Sequence, residues 1–558
     1  MSYPNTRPAN ITRRYFLRGL GLLSAGAALA ACAQQPKEEA APAAAPLIAI
    51  IHTNDTHGHD VEVPKSENVE GNFSMAAVAA LKAEWEAKGY EVLLVDAGDA
   101  TQGMPLVDVN HGESAIAFMN SCGYELMTVG NHEFDWGAEN LAKIEKQATF
   151  PLLSANVLNK EDGKPRFTPN KICETASGTK VGFFGLTTPA TLTTCKPKAV
   201  ASFTFQQDEE LFACAQAQVD ELRGKGCELV VCVGHLGNET AVGKNTSKEV
   251  LNNVKGIDLF IDGHDHLLVE EEVAGTLLVE TGSYLHNIGV VAIDEGVPAN
   301  QSVAYGTFEG IDAATQAIID EENARVESEL GVVLGETPYL LNGERDPGVR
   351  TQETNLGDFA TDAVKWTAEQ ELGRQIDAAI LNGGALRTSV EAGDISLKII
   401  KTIMPFTNNV MVIEVTGAQL LEALEASCQG IGVADAMGAF PQVSGITFTI
   451  DAAVPYAAGP NYPESTYASP ADPGSRITIH DVGGKGFDEA AVYTIASTDF
   501  ICDGGDTYYC FKEAAETGDP VTLGFDYEAL SSYLVSGCDH AVPEQYANPQ
   551  GRITIVGL

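Results

Sequence analysis

Five short segments supply side chains that together suit one kind of chemistry. Asp55 with His57, Asp99, Asn131 with His132, His235, and His264 with His266 offer carboxylate, amide and imidazole donors. Such donors hold divalent cations, and a pair of cations activates water for in-line displacement at an ester centre. One Asp-x-His or Gly-Asp would carry little weight, because an isolated histidine is usually a surface or hydrogen-bonded core residue. Repetition changes the reading. Five polar clusters at the ends of apolar runs are costly to bury unless their charges are paired or coordinate metal. Asp99 is the best bridging ligand, since a carboxylate has two oxygens and reduces the repulsion between two cations. His132 and Asp135 form a plausible orienting pair, in which the carboxylate fixes the imidazole's tautomer and stabilises its charge. The plainer alternative is a histidine that only caps its loop.

The elements that must position these groups are legible as apolar runs. LIAIIHTND leads to Asp55, VLLVDAGD to Asp99, LMTVGNHEFD to Asn131, LVVCVGH to His235, and LFIDGHDH to His264 and His266. Gly98, Gly130, Gly234 and Gly263 flank the clusters. Amphipathic stretches such as SMAAVAALKAEWEAK and DEELFACAQAQVDEL alternate with the runs, predicting an α/β fold whose loops converge at the strand ends. At 558 residues the chain exceeds the size at which one core stops growing, and 44% hydrophobic content can fill two. Residues 47–305 read as the metal-bearing domain, 306–334 as a linker helix, and 335–558 as a second α/β domain. No fixed-period repeat is present. The formal net charge of −43 argues against binding a nucleic-acid polymer, which needs a basic stripe. An anionic substrate would need local positive charge from metals and a few arginines.

The segments Asn54-Asp55-Thr56-His57-Gly58, Gly98-Asp99, Gly130-Asn131-His132-Glu133, Gly234-His235 and Gly263-His264-Asp265-His266 resemble the motif set of calcineurin-like metallophosphatases. NGERDPGVRTQETNLGDFATDA from Asn342, LNGGALR through Arg387, MPF ending at Phe406, and DFICDGGD through Asp506 resemble the C-terminal domain of bacterial and animal 5′-nucleotidases. The likeness runs in order over about residues 46–515. It implies a calcineurin-like α/β sandwich, a connecting helix and a C-terminal α/β substrate-binding domain. It also implies two divalent metal ions, zinc, manganese or another transition metal. One would take Asp55, His57, Asp99 and His266, and the other Asp99, Asn131, His235 and His264. A metal-bridging hydroxide would attack phosphorus, with His132 stabilising the transition state or leaving oxygen. Many exported nucleotidases carry an amide where His266 stands, which leaves metal preference open while imidazole still coordinates well.

By the same resemblance Arg350, Asn382 and Arg387 hold phosphate oxygens, Asn131 also touches substrate, and Arg345 is a weaker candidate. A guanidinium offers planar, bidentate bonds to such an anion. Gly383 and Gly384 permit close backbone approach. Phe406 and Phe500 match the aromatics that sandwich a nucleobase, and Asp506 matches an acceptor for ribose hydroxyls. Without the resemblance the two phenylalanines read as core residues. The implied activity is hydrolysis of nucleotide phosphoesters, with 2′,3′-cyclic nucleotides and nucleotide sugars as further substrates left open. A thiosulfate-hydrolase-like enzyme on the same scaffold and a non-catalytic nucleotide-binding surface lipoprotein are the alternatives.

The N-terminus reads as an address. Thr12-Arg13-Arg14-Tyr15-Phe16-Leu17-Arg18 resembles a twin-arginine export signal, and the apolar stretch after it is too short to span a bilayer. Leu29-Ala30-Ala31-Cys32 resembles a bacterial lipobox, implying cleavage after residue 31 and a lipid on Cys32 at the outer side of the membrane. Residues 32–46 then form a disordered tether. A simple secretory signal with an incidental cysteine is the alternative. Of eleven cysteines, ten remain after Cys32, an even number compatible with disulfides, whereas export of an already folded chain favours free thiols. Cys227 and Cys232 fit buried core positions.

Overall fold

The computed structural model describes residues 47–558 apart from 66–69, 239–244, 295, 434–435 and 464. The expected signal peptide, tether and lipidated Cys32 lie outside the described residues.

The apolar runs form the centres of two stacked sheets. In the first, the strands Ile48–Thr53, Glu91–Asp96, Leu126–Thr128 and Leu152–Leu153 run parallel, and Asn287–Asp294 pairs antiparallel with Ile48–Thr53. In the second, Lys180–Thr187, Leu229–His235, Leu259–Ile261 and Thr276–Thr281 are parallel neighbours, edged by antiparallel Asn170–Glu174 and Leu268–Val273. Side-chain alternation splits each strand between two cores. Ile48 and Ile50 meet Val231, Val233 and Ile261 between the sheets. Ala49 and Ile51 face an outer helical layer containing Val78, Leu81, Ile116 and Met119. Leu211, Val219 and Leu251 cover the far side of the second sheet. The layers are therefore helix, sheet, sheet, helix, and every parallel strand is buried on both faces.

The stretch expected to connect the domains is the helix Ala313–Leu330, begun where the Asp312 side chain accepts the Thr315 N–H at 2.8 Å. It packs on the first domain: Ile319, Val326 and Leu330 join the outer core, and Ser121 meets Thr315 at 2.8 Å. Glu327 pairs with Lys398 of the second domain.

That second domain has a five-stranded mixed sheet in the order Pro441–Ser444, Ala378–Asn382, Val492–Thr498, Asn409–Thr416, Val521–Phe525. The helix Asn355–Leu372 covers one face, and the helices Gly417–Ser427 and Tyr509–Thr517 cover the other. The fold is thus the expected pairing of a two-sheet α/β sandwich with a C-terminal α/β domain. All ten described cysteines are free. Eight of them are buried, with Cys122, Cys173, Cys232 and Cys428 in four separate cores, and behave as small packing groups. Among the described residues, no helix is long and apolar enough to cross a membrane.

One buried acid is set against the fold. Asp60 is fully buried, neither carboxylate oxygen has a hydrogen-bond partner among the described residues, and burial pushes its pKa up to about 7. A raised folded pKa means that stability is fully present below the unfolded value near 4 and is lost as pH rises through 7. Asp60→Asn should therefore gain on wild type between pH 4 and pH 8, by up to about 4 kcal/mol at 1.36 kcal/mol per pKa unit. Thermal melts at the two pH values check this, and an unchanged gap would place the charge in contact with compensating groups.

Candidate metal centre

All five segments deliver their side chains where strands end. Asp55 and His57 follow Ile48–Thr53, Asp99 follows Glu91–Asp96, Asn131 and His132 follow Leu126–Thr128, His235 closes Leu229–His235, and His264 and His266 follow Leu259–Ile261. The backbone is bent sharply there. Asp55, His57, Asp99, His264 and His266 have φ of 49°, 46°, 59°, 96° and 64°, a left-handed region costly for side-chain-bearing residues. The glycines give the loops room: a Cβ on Gly130 would stand 2.2 Å from Asp99 Oδ1.

The donor atoms converge into two groups. Asp55, His57 and His266 form one, and Asp99, His235 and His264 the other. Their tautomers are set from behind. His57 Nδ1 donates to the Gln102 carbonyl at 2.9 Å, and His235 Nδ1 donates to the Ala97 carbonyl at 2.8 Å. The Nε2 lone pairs of both rings therefore point inward. His57 Nε2 faces His266 Nε2 at 3.2 Å and Asp99 Oδ2 at 3.8 Å. His235 Nε2 faces Asp99 Oδ2 and Asn131 Oδ1, each at 3.1 Å. With the imidazoles neutral, each centre turns ring-nitrogen and oxygen lone pairs toward one another, an arrangement that a divalent cation satisfies in place of a proton. Burial opposes charge on His235, yet Asp99, Asp55 and Glu133 raise its pKa well above the ordinary imidazole value. The residues present fit two metal ions that share Asp99.

His132 stands over this floor. Its Nδ1 donates to Asp135 Oδ2 at 2.6 Å, and its backbone N–H donates to Asp99 Oδ1 at 2.8 Å. Burial works against its protonation, but Asp135 and Asp99 raise its pKa. His132 also falls within ligand range of His57 and Asp99.

Sequence reasoning passed over Glu133, which the fold uses fully. It is completely buried and accepts the N–H groups of Asp99, Ala100 and Gly130 at 2.9, 2.9 and 2.7 Å. Thr101 adds its N–H at 3.2 Å and its hydroxyl at 3.1 Å. One carboxylate thereby fixes the Asp99 loop against the Asn131 loop. Its only signal was an acid beside His132 in a run with no exposed face. Cys195 was missed too: its buried thiol donates to the Asn131 carbonyl at 2.9 Å.

The second-domain candidates meet the same cavity. Asp99, Asn131, His132, Asp135, His264 and His266 line it from one side. Arg345, Arg350, Asn382, Arg387, Phe406, Phe500 and Asp506 line it from the other. Asp55, His57 and His235 lie beneath, essentially inaccessible. Asn382 Nδ2 donates to Asp506 Oδ2 at 2.8 Å, while Asn382 Oδ1 is buried without a partner among the described residues. Burial pushes Asp506 up to about 6. Burial, Arg345 and Arg387 together disfavour the charge on Arg350. A guanidinium stays protonated regardless, so three of them facing one cavity make a place that an anion stabilises. Phe406 stacks on His132 with centroids 5.6 Å apart, and Arg387 lies 5.7 Å from the Phe406 centroid.

Comparison with known proteins agrees with this geometry. Residues 48–268 match the calcineurin-like phosphoesterase family and residues 333–513 match the 5′-nucleotidase C-terminal domain. The chain belongs to the metallophosphoesterases that combine these two domains, hydrolases of phosphoric esters that use two divalent metal ions. It is 31% identical over 87% of its length to the trifunctional nucleotide phosphoesterase protein YfkN of Bacillus subtilis, but spans only 34% of that longer protein. A 5′-nucleotidase of Vibrio vulnificus is 27% identical, with 91% of this chain and 94% of the relative covered. The crystal structure of a 5′-nucleotidase precursor from Thermus thermophilus superposes with a TM-score of 0.77 at 26% identity, covering 92% of this chain and 100% of the other.

Glu133→Ala should strand buried donors on both ligand loops, at roughly 1–3 kcal/mol for each group left unsatisfied. The variant is expected to melt well below wild type and to release metal to a chelator sooner. Glu133→Gln, which keeps the shape and one strong acceptor, should fall between. Melting curves and metal analysis after timed chelation decide it; wild-type behaviour of the alanine variant would make Glu133 dispensable.

Proposed function

We propose that the protein is a lipid-anchored, extracytoplasmic 5′-nucleotidase that releases phosphate from nucleoside phosphates. The observation that carries this reading is the shared cavity, in which a metal-ligand floor faces arginines, two phenylalanines and a buried carboxylate. A small phosphoester would need only the floor. A nucleotide uses the opposite wall as well.

Asp55, His57, Asp99 and His266 would hold one metal, and Asp99, Asn131, His235 and His264 the other. When bound, the pair supplies Lewis acidity and a nucleophile drawn from water at neutral pH. The chain's own groups do the rest. Arg350, Arg387 and Asn382 bind and orient phosphate oxygens, with Arg345 alongside. Asp135 takes the Nδ1 hydrogen of His132, which leaves Nε2 to donate a hydrogen bond or proton to oxygens gaining charge. Phe406 and Phe500 grip the base, and Asp506 accepts from ribose hydroxyls. Those last three groups favour a nucleotide over a thiosulfate-type substrate, which has neither ring nor sugar. The described ligand set is complete, which speaks against a purely binding role.

The test is phosphate release from adenosine monophosphate, a nucleotide sugar, a 2′,3′-cyclic nucleotide and para-nitrophenyl phosphate, before and after chelation. Activity on adenosine monophosphate should vanish with the metals and return on adding manganese or zinc. Replacing Phe406 and Phe500 together by Ala should lower kcat/KM for adenosine monophosphate by about 10-fold or more, at roughly 1–3 kcal/mol per stacked base. Para-nitrophenyl phosphate should lose much less, and only through the Phe406 ring that stacks on His132. An equal loss on both substrates would assign the rings to the fold.

The address is tested separately. Cys32→Ser should shift the protein from the membrane to the soluble fraction, because the acceptor sulfur is gone. Mass spectrometry of the mature N-terminus would show a lipid on Cys32 in wild type; an unmodified cysteine there would end the anchoring proposal.

A further inference from the structure

Residues 191–200, two short helical turns Thr191–Thr194 and Pro197–Val200 around Cys195, belong to the first domain but touch both halves of the site. On one side, the buried Cys195 thiol donates to the backbone carbonyl of Asn131, beside His132. On the other side, most of the contacts are with the segment Asp499–Asp506, which carries a base and a ribose candidate. The Asp506 N–H donates to the Thr193 carbonyl at 2.7 Å. Lys198 pairs with Asp503 at 2.8 Å, and Lys196 lies 3.8 Å from Asp499, next to Phe500. Lys196 also donates to the Thr407 carbonyl, next to Phe406, at 3.4 Å, and the Thr193 and Thr466 hydroxyls meet at 3.4 Å.

We propose that this strap is a specificity-determining element that ties the position of the Asn131–His132 loop to the Asp499–Asp506 segment. The inference rests on the nucleotide reading given above. A base and ribose held by Phe500 and Asp506 fix the segment. The segment fixes the strap through Thr193, Lys196 and Lys198, and Cys195 passes that placement to the loop bearing His132. Binding energy from a part of the substrate remote from phosphorus is thereby spent on setting the reacting geometry. Cys195 and Lys198 are positioning residues, acting through others. The link runs through the Cys195 thiol at one end and, toward the Asp499–Asp506 segment, through one backbone bond and two lysine contacts.

Cys195→Ala and Lys198→Glu are the informative variants. The lysine side chain is 81% exposed, so deleting its charge would change little, whereas reversal repels Asp503. If the strap couples the two halves, each variant loses about 3–10-fold in kcat on adenosine monophosphate with KM unchanged or lower, because nucleotide is still bound but its binding energy no longer sets the loop. For Lys198→Glu, which touches no ligand loop, hydrolysis of para-nitrophenyl phosphate and metal content stay at wild-type levels; Cys195→Ala, which frees the Asn131–His132 loop itself, loses clearly more on adenosine monophosphate than on para-nitrophenyl phosphate. Adding Asp503→Lys to Lys198→Glu should restore kcat. Equal losses on both substrates, a rise in KM alone, or no rescue by the charge swap would overturn the coupling. Wild type is the control for the underlying reading: a kcat/KM for adenosine monophosphate no better than for para-nitrophenyl phosphate would reject nucleotide recognition itself.

Discussion

The structure turns on a crowd of lone pairs. His57 Nε2 and His266 Nε2 face each other at 3.2 Å, and His235 Nε2 meets two oxygens at 3.1 Å, with His57 and His235 buried beneath the cavity that His266 lines. Acceptors so placed repel one another unless positive charge lies between them. Two divalent ions resolve that conflict, and the neighbouring structure is arranged to keep it in place when they are bound. Ligands with left-handed backbone cost roughly 1–3 kcal/mol each, so such loops persist only where other contacts over-determine them. Glu133, Gln102 and the Ala97 carbonyl are those contacts, and behind them lie strands buried on both faces.

The opposite wall poses the reverse problem. A chain with a formal charge of −43 repels an anion at long range, yet Arg345, Arg350 and Arg387 all turn toward one cavity. At short range in a partly desolvated cleft their field outweighs the diffuse surface charge, which salt screens over about 8–10 Å. On the proposed reading metals and guanidinium groups divide the work: cations held by the first domain would polarise phosphorus, and planar donors of the second would orient its oxygens.

The legibility of the chain follows the range of the interactions. The candidate metal ligands stand out in the sequence because each is local to a strand end and its residue type is rarely buried without a partner. The C-terminal site was readable only through resemblance, since Phe406 and Phe500 by themselves look like core. Glu133 escaped because an acid next to a histidine suggests another ligand, and only the fold shows that its partners are the N–H groups of Asp99, Ala100, Thr101 and Gly130. The helix Ala313–Leu330 was legible as a helix, but its docking on the first domain depends on Ile319, Val326 and Leu330, too sparse a stripe to stand out among its charges. Strap residues 191–200 carried no signal. Their partners lie near residues 130 and 500, and separations of that kind leave no periodicity to read.

Phe406 shows why the two walls cannot be treated as separate sites. One face of its ring stacks on His132, the residue placed over the metal floor. A base sandwiched against Phe500 would use the other face. On the proposed reading the ring would both grip the base and roof the imidazole, so a change in how the second domain sits would alter the surroundings of His132 even where no candidate metal ligand moves. A phenylalanine is suited to both tasks because its two faces are chemically alike and it brings no polar group that would compete for the Nε2 hydrogen. A tyrosine or histidine in its place would add a hydrogen-bonding atom beside the His132–Asp135 pair, and the resulting competition would fall on the role proposed for His132 toward the oxygens around phosphorus.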